Sequence, residues 1–151
     1  LHFLHPWAVG SDLDGDGHDD GWYDQPFDCF WLNPDPQWGS FDPAIDDDPH
    51  LLLDDKDGAG PEMLVLYLPQ EPTYRVGVHF WNDHGVGGSN AALKVFIHGA
   101  LVYETPSVWL DSLDLWEALV IHMPSGNVEG LADEAGNPRI IPDFPQLPGP
   151  L

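Results

Sequence analysis

Polar and apolar positions along this chain fall into two textures. Up to residue 62, apolar side chains stand singly or in short groups among acids, prolines and glycines. From Met63 onward they become regular. Residues 63–68 form an apolar run bounded by Pro61 and Pro69, which predicts a short buried strand. Residues 73–81 alternate, with Tyr74, Val76, Val78 and Phe80 on one face and Arg75, Gly77 and His79 on the other. That period of two is expected of a half-buried strand. Residues 84–90 read as a glycine-rich turn. Residues 91–98 alternate again, with Leu93, Val95 and Ile97 inward, and His98-Gly99-Ala100 turns the chain into residues 101–104 as a hairpin. Residues 115–123 read as a further strand, ended by Pro124, Ser125 and Gly126. Residues 1–5 read as part of a strand whose beginning lies upstream.

No segment carries the 3.6-residue period of an amphipathic helix, and no repeat recurs at 20 to 50 residues. Short strands punctuated by Gly and Pro predict an all-β fold, an antiparallel β-sandwich with its long acidic loops at one end. Residues 6–62 read as one long loop-rich region, of a length usually functional or held by a ligand. Residues 1–136 are expected to form the sandwich. Residues 137–151, with Pro138, Pro142, Pro145, Pro148 and Pro150, are expected to be an extended tail or linker.

Charge changes this picture. The 151 residues hold 26 Asp and Glu against four Lys and Arg, a formal net charge of -22. Phosphate and anionic lipid both need a basic surface, so nucleic acid and membrane insertion are excluded as expectations. No apolar run approaches the ~20 residues of a membrane span. Residues 12–62 contain 15 Asp and one Glu, with Lys56 the only base. The same segment contains Trp22, Tyr23, Phe27, Phe30, Trp31, Trp38 and Phe41, which belong to packed structure. A segment both aromatic and this acidic calls for cations as counter-charge.

The sharpest motif is Asp12-Leu13-Asp14-Gly15-Asp16-Gly17-His18-Asp19-Asp20. Carboxylates at alternate positions followed by glycine let a tight turn wrap oxygens around one calcium ion. Asp12, Asp14 and Asp16 would supply side chains, His18 its carbonyl, and Asp20 a direct or water-mediated contact. Tyr23 stands where an EF-hand has its twelfth-position Glu, and no flanking helices are evident, so the motif is a free-standing calcium loop. The competing reading is a solvated acidic turn. A second acidic region comprises Asp46, Asp47 and Asp48, followed by Asp54, Asp55, Asp57 and Glu62 around Gly58 and Gly60. It reads either as a further calcium site or as a negatively charged rim.

Other chemistry is less specified. The eight histidines match no zinc spacing, and residues 85–89 lack the Lys of a phosphate loop. No G-x-S-x-G element or other distinct nucleophile and base is present, so no enzymatic activity is expected. Seven Trp serve either as core or as a platform for sugar rings. Cys29, the only cysteine, is either a buried small hydrophobe or paired with something outside this segment.

Several segments in order resemble a calcium-binding, aspartate-rich β-sandwich domain of large secreted or surface bacterial proteins, often found beside PKD-type repeats. They are residues 1–6, residues 27–31, Trp38-Gly39, Asp47-Asp48-Pro49, Asp54-Asp55, Asp57-Gly58, Gly60-Pro61-Glu62 and residues 74–81. The acidic loop at residues 12–20 is itself similar to those of dockerins and thrombospondin type-3 repeats. The chain departs from the family's pattern at Leu52, Lys56 and Met63. The resemblance implies an extracellular or cell-surface location, calcium as the bound ion and a structural or adhesive role. A carbohydrate-binding module using exposed Trp residues is the alternative. It also implies a first strand starting upstream, and hence completion by a neighbouring domain or by further copies of the chain, through strand complementation or a filament.

Overall fold

The computed structural model describes residues 1–13, 15–23, 27–55 and 60–144, and these contain eleven β-strands and no helix. In chain order they are β1 (His2–Leu4), β2 (Pro49–Leu53), β3 (Met63–Leu66), β4 (Thr73–His79), β5 (Ser89–Ala91), β6 (Lys94–Ile97), β7 (Ala100–Glu104), β8 (Val108–Leu110), β9 (Leu115–His122), β10 (Asn127–Gly130) and β11 (Arg139–Ile141). Every strand pairing is antiparallel, which gives the all-β, sandwich-like fold that the alternating patterns anticipate.

The central pair is β4 and β9, the two longest strands. β1 flanks β4, while the far edge of β9 is shared: β10 pairs residues 119–122 and β11 pairs residues 115–117. The remaining strands form three two-stranded ribbons, β2–β3, β5–β8 and β6–β7. The β6–β7 hairpin turns where His98 and Gly99 both have positive φ, 50° and 80°. Two such residues match the right-handed twist of the flanking strands.

The β4–β9 sheet is buried on both faces, by different parts of the chain. One face carries Phe3, Val76, Trp116, Ala118 and Leu119, which cluster with Leu93, Val108 and Leu110 and with partly buried residues of the ribbons, including Leu51, Leu64 and Tyr103. Cys29 belongs to the same cluster, fully buried with its thiol on the Pro34 carbonyl, and burial pushes the thiol up to about 12. Ala118 and Leu119 join one cluster although adjacent, because a bulge opposite Val76 and Gly77 breaks the alternation there. The other face carries Leu4 and Leu115 and is covered by Ala8, Trp22, Tyr23 and Phe144. The residues flanking the first acidic loop therefore form a wall over this face of the sheet.

Three local expectations change, and one strand falls where none was expected. Residues 6–62 are not all loop: Pro49–Leu53 forms β2 against β3, with a bulge near Leu52. The apolar run at residues 63–68 is only half-buried, because its ribbon lies at the periphery, and Tyr67 and Leu68 are exposed. Val108–Leu110 is a strand within a segment that shows no alternation. Arg139–Ile141, within the proline-rich tail, is hydrogen-bonded to β9. β1 is an edge strand in the sheet order, yet the N–H and C=O of Phe3 are both bonded to Cys29, at 2.9 and 3.0 Å.

Candidate metal loops and the buried network beneath them

The first acidic loop is held at both ends on the sheet. At its start the Ala8 N–H donates to the His5 carbonyl, and the Ser11 N–H to that of Ala8. At its close the Asp20 N–H donates to the Ser11 carbonyl at 2.7 Å, and the Leu13 N–H donates to the Asp20 carboxylate. Trp22 follows directly. Its ring lies over Gly77, where an added Cβ would stand 3.1 Å from the indole, and its Nε1–H donates to Glu117 Oε1 at 2.8 Å. Glu117 is itself buried in β9, with Arg139 of β11 on its other oxygen at 2.8 Å. One buried carboxylate thus joins the loop's exit to β9 and β11.

Inside the loop the carboxylates turn inward onto backbone donors. Asp12 accepts from the N–H groups of Gly15 and Gly17, at 2.6 and 2.9 Å, and Asp16 accepts from that of His18 at 2.8 Å. Gly15 and Gly17 have φ of 82° and 94°, values an L side chain rarely adopts, so the chain coils tightly about the Asp12 carboxylate. Asp12, Asp16 and His18 are exposed and Asp20 is buried. Asp14, the central acid of the motif, lies outside the described residues.

Among the described residues, the carboxylates of the second acidic region have separate partners. Asp48 Oδ1 accepts from the backbone N–H of Trp38 and Gly39, at 2.7 and 3.3 Å, and Gln37 donates to both of its oxygens. Asp47 Oδ2 accepts from the Ser40 N–H at 2.9 Å, whereas its buried Oδ1 has no hydrogen-bond partner. The pair fastens the 37–40 turn. Farther on, Asp54 is exposed, Asp55 accepts from the Gly60 N–H at 2.6 Å, and Glu62 accepts from the Leu1 amino group. Asp57 lies outside the described residues. Among the described residues, no three carboxylate, imidazole or thiolate groups are gathered as a metal-binding set.

Beneath the first loop lies a polar network that the sequence does not announce. His2 and Asp28 are both fully buried, with His2 Nε2 2.6 Å from Asp28 Oδ2. Asp28 also accepts from the His5 and Tyr23 N–H groups, at 2.8 and 3.2 Å. It therefore binds β1, the Trp22–Tyr23 segment and itself into one unit. Rings of Trp22, Tyr23 and Phe30 enclose His2, with centroids 4.4 to 5.2 Å away. The Tyr23 hydroxyl stands 3.1 Å from His79 Nδ1. Burial lowers the pKa of His2 against the opposing pull of Asp28, lowers that of His79 to about 4, and pushes the Tyr23 phenol up. The one signal in the sequence is an acid inside an apolar run, Phe27-Asp28-Cys29-Phe30, but among 26 acids it does not stand out.

No family model matches the chain, and neither the curated proteins nor the solved structures contain a match to it. No helix among the described residues is long and apolar enough to cross a membrane.

Proposed function

We propose that this chain is an extracellular module whose acidic loops are ordered by calcium and whose role is structural or adhesive within a surface protein or fibre. The observation that carries the reading is the form of residues 12–13 and 15–20. The first acid of the motif already gathers the N–H groups of Gly15 and Gly17, and the last closes the loop onto Leu13. Backbone coiled about alternating carboxylates is the arrangement by which short loops present oxygens to calcium. Asp12, Asp14 and Asp16 would hold the ion through side chains, His18 through its carbonyl and Asp20 directly or through water. Asp54, Asp55, Asp57 and Glu62 would hold a second ion. Asp48 is committed to the 37–40 turn, and Asp47 is assigned separately below.

Calcium would supply counter-charge where 16 acids face one base, and it would do so on the wall that covers one face of the sheet. Calorimetric titration of calcium into the protein tests the proposal. One binding event should disappear in Asp12→Ala and in Asp16→Ala while the far-ultraviolet circular dichroism is retained. Titrations identical to the parent's would leave residues 12–20 as a solvated turn.

One observation favours carbohydrate binding as a second reading. Trp31 and Trp81, both about 43% exposed, have ring centroids 5.9 Å apart at an angle of 43°. Paired exposed indoles suit stacking against sugar rings. Glycan-array binding abolished by Trp31→Ala would favour this reading over a purely structural role.

A further inference from the structure

A cavity of about 150 Å³ lies on the surface between the first turn of the acidic region and the start of β4. Trp7, Trp38 and Tyr74 give it aromatic walls, Asp47 and Glu71 give it carboxylates, and His5 and the Gln70 amide add polar groups. Among the described residues, no lysine or arginine lines it. His5 Nδ1 faces the Trp7 N–H at 3.3 Å, which fits the unprotonated nitrogen of a neutral imidazole rather than a second positive charge.

Asp47 is 94% buried by its 6% exposure, and its Oδ1 is without a hydrogen-bond partner. A buried carboxylate with one oxygen left bare is costly, and here it stands at the cavity wall beside a second carboxylate, Glu71. Its position is enforced. Oδ2 is held by the Ser40 N–H, and a Cβ on Gly39 would lie 2.2 Å from that same oxygen, so only glycine leaves the carboxylate room.

We propose that this cavity binds a quaternary ammonium group. A calcium ion needs six to eight oxygen ligands, which aromatic walls do not provide. A primary ammonium brings three N–H donors that each require an acceptor. A quaternary ammonium has no N–H to satisfy. It is attracted by ring faces and by an adjacent carboxylate, and aromatic walls are its usual surroundings. Room comparable to this accepts a molecule the size of benzene, about six heavy atoms, and tetramethylammonium is no larger.

Choline chloride and its uncharged isostere 3,3-dimethylbutan-1-ol, titrated by calorimetry in calcium-containing buffer, separate charge from shape. Choline should bind at least roughly tenfold more tightly than the alcohol. Trp7→Ala, at a side chain more than half exposed, and Asp47→Asn, which keeps an acceptor for Ser40, should each weaken choline by about the same factor. Unchanged melting temperatures in both variants would establish that they fold. Co-sedimentation with phosphatidylcholine vesicles, competed by free choline, would make the ligand a lipid headgroup; binding of free choline alone would make it a solute. Either result supports the site. Absence of choline binding, equal binding of the alcohol, or unchanged affinity in both variants would overturn it. So would loss of a calcium event in Asp47→Asn without any effect of choline. None of these readouts depends on calcium at residues 12–20, so the two proposals fail separately.

Discussion

At the scale of single residues, Asp28 carries the densest set of obligations. It supplies acceptors to His2, to the His5 N–H and to the Tyr23 N–H, all in buried or part-buried surroundings. Asp28→Ala strands these donors, and each unsatisfied buried group costs about 1–3 kcal/mol. The variant should lose roughly 3 kcal/mol or more in urea denaturation, with fluorescence of Trp22 reporting the change nearby. The histidines set a pH dependence with a definite sign. His2, His5 and His79 all have pKa values lowered by burial from 6.5, so the unfolded chain binds protons that the folded one refuses. Their contribution is present above pH 6.5 and declines as pH falls toward the folded value, about 4 for His79. His50 acts oppositely, because the hydrogen bonds it donates to Asp46 and Asp35 raise it, and its contribution fades as pH rises. It is partly exposed and so partly screened by solvent, and the net expectation is acid destabilisation beginning near pH 6.5. His79→Phe should flatten the fall in melting temperature between pH 6.5 and 4. An equally steep profile would assign the acid sensitivity to other groups.

At the scale of elements, the chain was legible where the period of two runs unbroken. β4 and the β6–β7 hairpin stand out because five or more positions alternate or a glycine turn joins matched runs, and β9 because a mostly apolar run ends at Pro124, Ser125 and Gly126. β2, β5, β8 and β11 are three to five residues long, too short for periodicity to separate them from loop. β2 in addition begins at a proline. What no local pattern carries is which face of the sheet a loop covers. Residues 6–28 look like an acidic excursion in one dimension, yet Ala8, Trp22 and Tyr23 lie against Leu4 and Leu115. The His2–Asp28 pair was illegible for the same reason: 26 residues separate its members. The acidic loop motif, by contrast, was legible from alternate carboxylates and Gly17 alone, and its backbone takes the coiled form those residues favour. Trp22 is the element-scale anchor. Trp22→Ala removes the indole from over Gly77 and its hydrogen bond to Glu117. Core Trp truncations cost about 3–5 kcal/mol. Amide hydrogen exchange should accelerate across residues 6–23 ahead of β4 and β9. Uniform acceleration over both would show that the wall and the sheet open as one unit.

At the scale of the whole molecule, a net charge of -22 sits on a fold with few internal counter-ions. Of the four bases, Arg139 is bonded to Glu117 and Lys94 faces Glu104 across the β6–β7 ribbon. Most of the acid is therefore balanced from outside the chain, by screening or by bound cations. The two differ measurably. Screening follows ionic strength, whereas a coordinated ion acts at low concentration and with chemical selectivity. The most direct test is the melting temperature at one fixed ionic strength, with calcium, with magnesium and with excess EGTA. A single site occupied at about 100 times its dissociation constant adds ~2.7 kcal/mol. At this chain length that corresponds to a rise of roughly 8 °C. The account predicts at least that rise with calcium, less with magnesium, and in Asp12→Ala a rise smaller by the share of one site. Equal melting temperatures in calcium and in EGTA would contradict it.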